Sequence, residues 1–473
     1  MEHYQLYIGG QWIDTEKKFP VIDKYSGETF ATIAQASQEQ AETAVRSARD
    51  SFNKVKLSPT QRYQILLKMS QLVRQNGERL VETLCREVGK PIAEAIGEVN
   101  GVANNFESFA EEAKRIAGEM VPVDANAGNE KRLGFTLRVP VGIVCAISPF
   151  NYPLSLSAAK IGPAIAAGNT VILKPTQQTP LCGCLLTKLI LEAGLPPEHI
   201  QLVLGPGSQV GNWLLKNQDI NFYSLTGSTD VGRHITKTIG LRRCAMELGS
   251  NAAVIIHKDA DAKKTATACA QRGFYNAGQV CISIQRVYVH EDIYPAFVKQ
   301  AKAVAESLVM GDPREQKTTL GPMISEAEVN RVDAWVKEAV SQGATVVTGG
   351  KKQGTRFYLP TVLTDVKPEM KVCCQEIFGP VIVVSPYKDF AEAIRAVNDS
   401  VYGLQAGVFT NDLGLAMKAA REIECGGVMI NDTAYFKVGN MPYGGVKQSG
   451  FGREGGKYTI KEMMEEKIVV LNL

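Results

Sequence analysis

The pattern of apolar and polar positions changes character once along the chain. From about Ser37 to Ile116, apolar residues recur at helical spacing. The segment SQEQAETAVRSARDSF opens on Ser37 with Gln and Glu in its first turn, the signature of a capped helix start. A second helical stretch, SPTQRYQILLKMSQLVRQNGERLVETLCREVGK, begins the same way at Ser58 and stops at Gly89. The next stretch, GEMVPVDANAGNEKRLGFTLRVPVG, is polar and alternating, which predicts a hairpin-like excursion. After Val139 the runs GIVCAIS, TVILKP, IQLVLG and FYSLTG are separated by segments long enough for crossover helices. A second series, NAAVIIH, RVYVH, ATVVTGG and VIVVSPY, starts near Ala252. Such interleaving predicts parallel sheets covered on both faces, an α/β class, with a domain boundary near Gly249–Asn251. The closing EEKIVVLNL reads as a strand with no partner close in sequence. It is expected to pair with the early excursion or with another subunit.

Composition narrows the function classes. A chain of 473 residues, 45% hydrophobic and 21% charged, fits two or three globular domains and argues against disorder. A net charge of +3 without a basic run leaves no electrostatic footprint for nucleic acid. The start, MEHYQLYIGGQW, has no signal or transit pattern, and Pro, Gly and Lys interrupt the apolar stretches between Pro140 and Pro175, so no membrane span is expected. Ten cysteines without framework spacing read as reduced thiols, which implies the cytoplasm. The five histidines are dispersed, none at ligand spacing, so no metal is expected. No G-x-S-x-G elbow is present, which disfavours serine hydrolysis.

The chemistry-bearing segments come next. LVLGPGSQVG sets Gly205, Gly207 and Gly211 between a predicted strand and a helix, one residue longer than the usual dinucleotide fingerprint; a plain strand-to-helix turn would use glycines too. LTGSTDVG places Gly227, Ser228 and Gly232 at the head of another helix, where bare N–H groups suit a pyrophosphate. In NAGQVCIS, Cys281 is either a nucleophile or a small apolar filler. MELGSN offers Glu247, a lone carboxylate at the proposed boundary that could equally cap a helix, and SPFNYP offers Asn151, which could equally be a turn residue.

SPFNYP, LTGSTDVG, MELGSN, NAGQVCIS, QEIFGPVI and MPYGGVKQSGFGRE follow one another along the chain. In this order they resemble the motif set of the aldehyde dehydrogenase superfamily, across nearly the whole length. The resemblance implies a Rossmann-like nucleotide-binding domain (1–117 and 139–249), an α/β catalytic domain (250–440) and a small β oligomerisation extension (118–138 and 441–473). It implies that Cys281 attacks the aldehyde to give a thiohemiacetal, that Asn151 and the Cys281 N–H hold the oxyanion, and that Glu247 activates the water that hydrolyses the thioester. Lys160 and Glu454 align with a proton path proposed in relatives; either could be an ordinary ion-pair partner. For NAD or NADP, the resemblance assigns Lys174 to the adenosine ribose and Gly207, Gly227 and Ser228 to the phosphates. It assigns Glu376 to the nicotinamide ribose, with Phe378 near the ring.

Departures from the family pattern carry information. Many NAD-preferring relatives have Glu where this chain has Gln177; with Lys174 and Thr176 beside it, a neutral amide there leaves room for a 2′-phosphate, so NADP acceptance is expected. Ser250 stands where glycine is usual. Val280 replaces the Arg that phosphorylated-glyceraldehyde members tend to carry. The segment around Cys281 and the NDTAYFKVGN stretch resemble the lactaldehyde-type short-chain branch. The expected substrate is a small aldehyde, hydroxylated or anionic, walled by Phe106, Phe109, Phe150, Ile282 and Tyr443, with Lys437 as an anion contact. The rivals are a CoA-acylating dehydrogenase, a cofactor-free thiol esterase and a non-catalytic binding relative. Pairing of the two β excursions between subunits predicts a homodimer or homotetramer.

Overall fold

In the computed structural model, which describes all 473 residues, two sheets organise the chain. The first has eight strands in the order Gly450–Phe451, Arg243–Glu247, Phe222–Thr226, Ile143–Ser148, Thr170–Pro175, Ile200–Leu202, Leu6–Ile8 and Gln11–Ile13. Its five central strands run parallel, while Gly450–Phe451 and the N-terminal pair add antiparallel edges. The order reverses between Ile143–Ser148 and Phe222–Thr226, and a crevice beyond the carboxyl ends of strands at such a reversal is where α/β sheets bind ligands. The second sheet has seven strands in the order Thr345–Thr348, Thr361–Thr364, Val381–Tyr387, Arg286–His290, Ala253–Ile256, Gln405–Phe409 and Gly427–Ile430. All pair in parallel except the first, so ATVVTGG forms an antiparallel edge and not a parallel strand.

Each sheet has its own hydrophobic core, and the chain passes from one to the other at Glu247–Ala253. The predicted helix starts are present: Ser37 and Ser58 each head a capping box closed by Gln40 and Gln61. The second helical stretch is broken, however, into Pro59–Gln75 and Gly77–Glu87. Asn76 leaves helical geometry and its side-chain amide donates to the Leu72 carbonyl at 2.9 Å, beside its own backbone N–H at 3.0 Å, so the helix end is capped there. The long helix Ile92–Ala113 follows and packs on the helix Pro153–Ala167.

The closing strand, Met464–Asn472, pairs with Arg132–Pro140 of its own chain over nine residues, from Met464 opposite Pro140 to Asn472 opposite Arg132. Leu133, Leu137, Ile468, Val470 and Leu471 stay exposed on this ladder. The stretch 441–473, expected to serve assembly as one unit, divides. Ile460, Met463 and Met464 belong to the first core, Gly450–Phe451 extends the first sheet, and only the last strand joins the excursion.

Candidate active site

The first sheet delivers its chemical groups at strand ends. Ile143–Ser148 leads to Asn151, Thr170–Pro175 carries Lys174, Phe222–Thr226 leads to Gly227 and Ser228, and Arg243–Glu247 ends on Glu247. The second sheet contributes from strand beginnings: Ser250 precedes Ala253–Ile256, Cys281 precedes Arg286–His290, and Glu376 and Phe378 precede Val381–Tyr387. The carboxyl edge of one sheet thus meets the amino edge of the other.

The NAGQVCIS turn owes its shape to local sequence. Asn276, Ala277 and Gly278 have φ of 50°, 54° and 71°, a left-handed run that Asn tolerates and Gly favours. A Cβ on Gly278 would lie 2.0 Å from the Gly379 carbonyl oxygen, so no other residue fits there without moving backbone. The strained turn is tied down on several sides. The Asn276 N–H donates to Glu94 Oε2 at 2.9 Å, the Asn276 amide donates to the Asn151 carbonyl at 3.2 Å, and Gln279 Oε1 accepts from the Ile324 N–H at 2.9 Å. Asn276 therefore connects the Cys281 turn to the Asn151 turn, fixing the Asn151 main chain while leaving its side-chain amide available.

Cys281 emerges half-buried, in a small apolar cluster with Val280, Ile282, Leu404 and Tyr443, against which Tyr152 and Tyr435 also pack. Its Sγ lies 3.1 Å from the Tyr443 hydroxyl. Burial pushes the thiol up to about 11, and the Tyr443 hydrogen bond and the Lys437 charge pull against that rise. Buried Glu247 is pushed well above the usual carboxylate range by burial and by the negative charge of Glu454. Its Oε2 has no partner in the protein, so a water there would find an acceptor waiting. A Cβ on Gly444 would sit 2.8 Å from Glu247 Oε1 and 2.6 Å from the Gly452 carbonyl, so the glycine lets the 443–454 segment close over the carboxylate.

Behind Glu247 lies a charged network. Lys160 Nζ donates to Glu454 Oε1 at 2.9 Å and to Thr226 Oγ1 at 2.8 Å, and Lys437 Nζ reaches Glu454 Oε2 at 3.3 Å. Burial raises the Glu454 carboxyl, but the two lysines outweigh it and hold the group at about 2, ionised. Backbone pairing of Tyr443 with Glu454 in both directions, at 2.9 and 2.6 Å, couples this network to the residue that touches the thiol. Lys437 Nζ also lies 3.6 Å from the centre of the Tyr443 ring.

The other sequence-derived residues divide. Ile282 and Tyr443 stand beside the thiol, and Phe150 meets Phe378 edge to face at 5.7 Å. Phe106 and Phe109 lie in the first core instead of on a wall facing Cys281. They pack edge to face at 6.3 Å, and Phe109 presses so closely on the helix Pro153–Ala167 that a Cβ on Gly162 would be 2.2 Å from its ring. Their apolar bulk is used between helices. Sequence reading passed over Tyr152, Tyr435 and Glu94. Tyr152 adjoins Asn151, and Glu94 with Glu98 sits at helical spacing on the buried side of Ile92–Ala113, where a carboxylate without a purpose would be costly.

Along the strand-end crevice, a nicotinamide dinucleotide has fitting groups. Lys174 is buried, with its value lowered to about 8 by desolvation, and its ammonium uses one donor, to the Pro175 carbonyl at 3.3 Å. A Cβ on Gly211 would lie 3.7 Å from Lys174 Cε, and Gly207, which opens a single π-helical turn in place of the predicted helix start, faces open space. Ser228 caps the helix Thr229–Ile239 by accepting from the Val231 N–H, and Thr176 and Gln177 sit at the rim, Gln177 exposed. Glu376 Oε1 accepts the Ser250 N–H at 2.8 Å, and burial raises its carboxyl to about 7. Ser250 thus acts through its main chain. No cluster of His, Cys, Asp and Glu could hold a metal ion, and no helix is long and apolar enough to cross a membrane.

Known proteins resemble this chain along nearly its whole length. The description "Aldehyde dehydrogenase family" matches residues 12–469. The chain is 51% identical to a 3-sulfolactaldehyde dehydrogenase of Priestia aryabhattai over 473 residues, 100% of this chain and 99% of that one. It is 39% identical to a lactaldehyde dehydrogenase of Methanococcus maripaludis over 472 residues, 99% of this chain and 100% of that one. The crystal structure of aldehyde dehydrogenase 21 from Physcomitrella patens, in complex with the reaction product succinate, superposes with a TM-score of 0.97 at 36% identity, covering 100% of this chain and 98% of the other.

Proposed function

The chain belongs to the aldehyde dehydrogenase family and oxidises a small aldehyde to its acid; on that premise we propose that Cys281 is its nucleophile, Glu247 its general base, and a short hydroxyaldehyde with an anionic tail its substrate. The observation that carries the reading is the half-buried Cys281 sulfur beside Tyr443, a residue whose hydroxyl feels both the thiol and the Glu247 carboxylate. Thiolate addition to the aldehyde carbon makes an oxyanion, which the Asn151 amide and the Cys281 N–H receive; one such donor typically contributes on the order of 100- to 1000-fold in rate. A bound nicotinamide cofactor supplies the hydride acceptor. Glu247 then removes a proton from the water that attacks the Cys281 thioester. The unpartnered Glu247 Oε2 supports hydrolysis over transfer to CoA. Lys160 and Glu454 give that proton a route away from Glu247.

An anionic tail suits the electrostatics. Lys160, Lys437 and Arg453 stand around Glu247 and Glu454, three cations to two carboxylates, so positive charge is in surplus even with Glu247 ionised. The relative named for 3-sulfolactaldehyde supports the same class. For the cofactor, exposed Gln177 carries no charge to repel a 2′-phosphate, and buried Lys174 has donors to spare, so NADP is accepted. The test is a panel of short aldehydes with hydroxy, carboxylate, sulfonate, phosphate and uncharged tails, assayed with NAD and NADP by absorbance of the reduced cofactor. Anionic hydroxyaldehydes should give the highest kcat/KM. Equal efficiency for uncharged analogues overturns the substrate reading, and kcat/KM with NADP a hundredfold below NAD overturns the cofactor reading.

A further inference from the structure

Arg272, in the last turn of the helix Ala262–Phe274, has no carboxylate within ion-pair reach and instead lies over two aromatic rings. Its guanidinium carbon is 4.9 Å from the centre of Tyr435 and 5.5 Å from that of Tyr275, and those two rings are 5.3 Å apart. The aromatic track continues inward. The Tyr435 hydroxyl is 2.5 Å from that of Tyr152, whose ring follows Asn151 and packs against the cluster holding Cys281. An exposed cation therefore stands at the outer end of a line of phenols whose inner end is the thiol.

The opposite side of this line is the helix Ile92–Ala113, and it leaves space. A Cβ on Gly97 would come 3.8 Å from the Tyr275 hydroxyl, and a Cβ on Gly101, one turn on, would meet nothing within 4 Å. Glycine in a helix interior is less favourable than alanine, and at Gly97 the room it leaves lies beside the Tyr275 phenol. The charges facing Arg272 do not cancel it. Glu98 is paired with Lys90 and also caps the helix Pro153–Ala167, accepting from the Leu154 and Ser155 N–H groups. Glu94 is pushed up to about 8 by burial and is occupied by the Asn276 N–H.

We infer that Arg272 is a specificity-determining residue that receives the anionic tail of the aldehyde, held on Tyr435 and Tyr275 so that its fork serves the room between Tyr275 and Gly97. A guanidinium presents paired donors to carboxylate, sulfonate or phosphate, and stacking on phenols costs it none of them. Lys437, by contrast, is committed to Glu454 and Tyr443. The inference rests on the anionic-aldehyde reading above, and the two fail separately.

The experiment compares wild type, Arg272→Gln and Arg272→Lys on matched three- and four-carbon aldehydes with sulfonate, carboxylate or uncharged tails. Arg272→Gln should lower the anionic-to-uncharged ratio of kcat/KM by about 10- to 100-fold, the range of one hydrogen bond to a charged group, mainly through KM. Arg272→Lys should recover part of that ratio, because it restores the charge and not the fork. A wild type that prefers anionic tails together with a Gln variant that keeps the preference overturns the role of Arg272. A wild type with no anionic preference overturns the substrate reading itself. A fall in kcat shared equally by all substrates, with KM unchanged, makes Arg272 a structural residue and also overturns the inference.

Discussion

Removing the Tyr443 hydroxyl tests how this protein readies a thiol that its surroundings keep protonated. Burial pushes Cys281 up to about 11, and the phenol 3.1 Å from Sγ opposes that rise. In Tyr443→Phe the ring stays, so the packing around Ile282 and the Lys437 contact survive and the hydrogen bond alone is lost. A hydrogen bond to a charged group is worth about 1.5–3 kcal/mol, and one pKa unit corresponds to about 1.4 kcal/mol. The thiol should therefore rise by about one to two units, reducing the thiolate fraction near neutrality by roughly 10- to 100-fold. A more basic thiolate is also a better nucleophile, by about threefold per unit at a Brønsted slope near 0.5. The net expectation is inactivation by iodoacetamide about 3- to 10-fold slower than wild type at pH 7.5, without cofactor. The curve of rate against pH should be displaced to higher pH. An unchanged or faster rate would refute the idea that the phenol stabilises the thiolate.

Further consequences follow from the same geometry. Glu247→Gln removes the proposed general base but not the proposed nucleophile, so a burst of about one reduced cofactor per subunit should precede a steady rate lowered by roughly 100- to 10,000-fold, with an acylated Cys281 visible by mass spectrometry. Because Glu247 is proposed to work ionised and burial raises it, the rate of thioester hydrolysis should climb with pH above the range where an ordinary carboxylate ionises. Glu454→Gln removes a neighbouring negative charge that raises Glu247, so this limb should move to lower pH; single-turnover rates across pH decide it, and a shift to higher pH contradicts the network. Gly278→Ala places a methyl 2.0 Å from the Gly379 carbonyl at a φ of 71°, and should lower Tm by several degrees and abolish Cys281 alkylation together.

Local signals in the sequence reached a good part of this architecture. The Ser37 and Ser58 caps need only their own next three residues, and the parallel strands are apolar runs because both faces are covered. The two-residue strand Gly450–Phe451 and the N-terminal strands Leu6–Ile8 and Gln11–Ile13 were invisible, since each is defined by a distant partner and is too short to show a period. The same limit applies at the site. Cys281, Glu247 and Asn151 sit in distinctive local sequences, but nothing near Tyr443 announces a partner at Cys281, or near Asn276 one at Glu94. Phe106 and Phe109 misled because an aromatic near a pocket and an aromatic under it have the same local sequence pattern.

The order in which the site's parts leave the ribosome has a consequence of its own. Asn151, Glu247 and Cys281 are synthesised well before Lys437, Tyr443 and Glu454, the groups that modulate the sulfur and the base. During translation the Cys281 thiol therefore exists without its phenol, and Glu247 without the Lys437 cation and without the like charge of Glu454. A message cut short before codon 437 yields a chain whose thiol lacks both the phenol and the lysine charge that oppose its protonation, so the final stretch of synthesis supplies the groups that ready the sulfur.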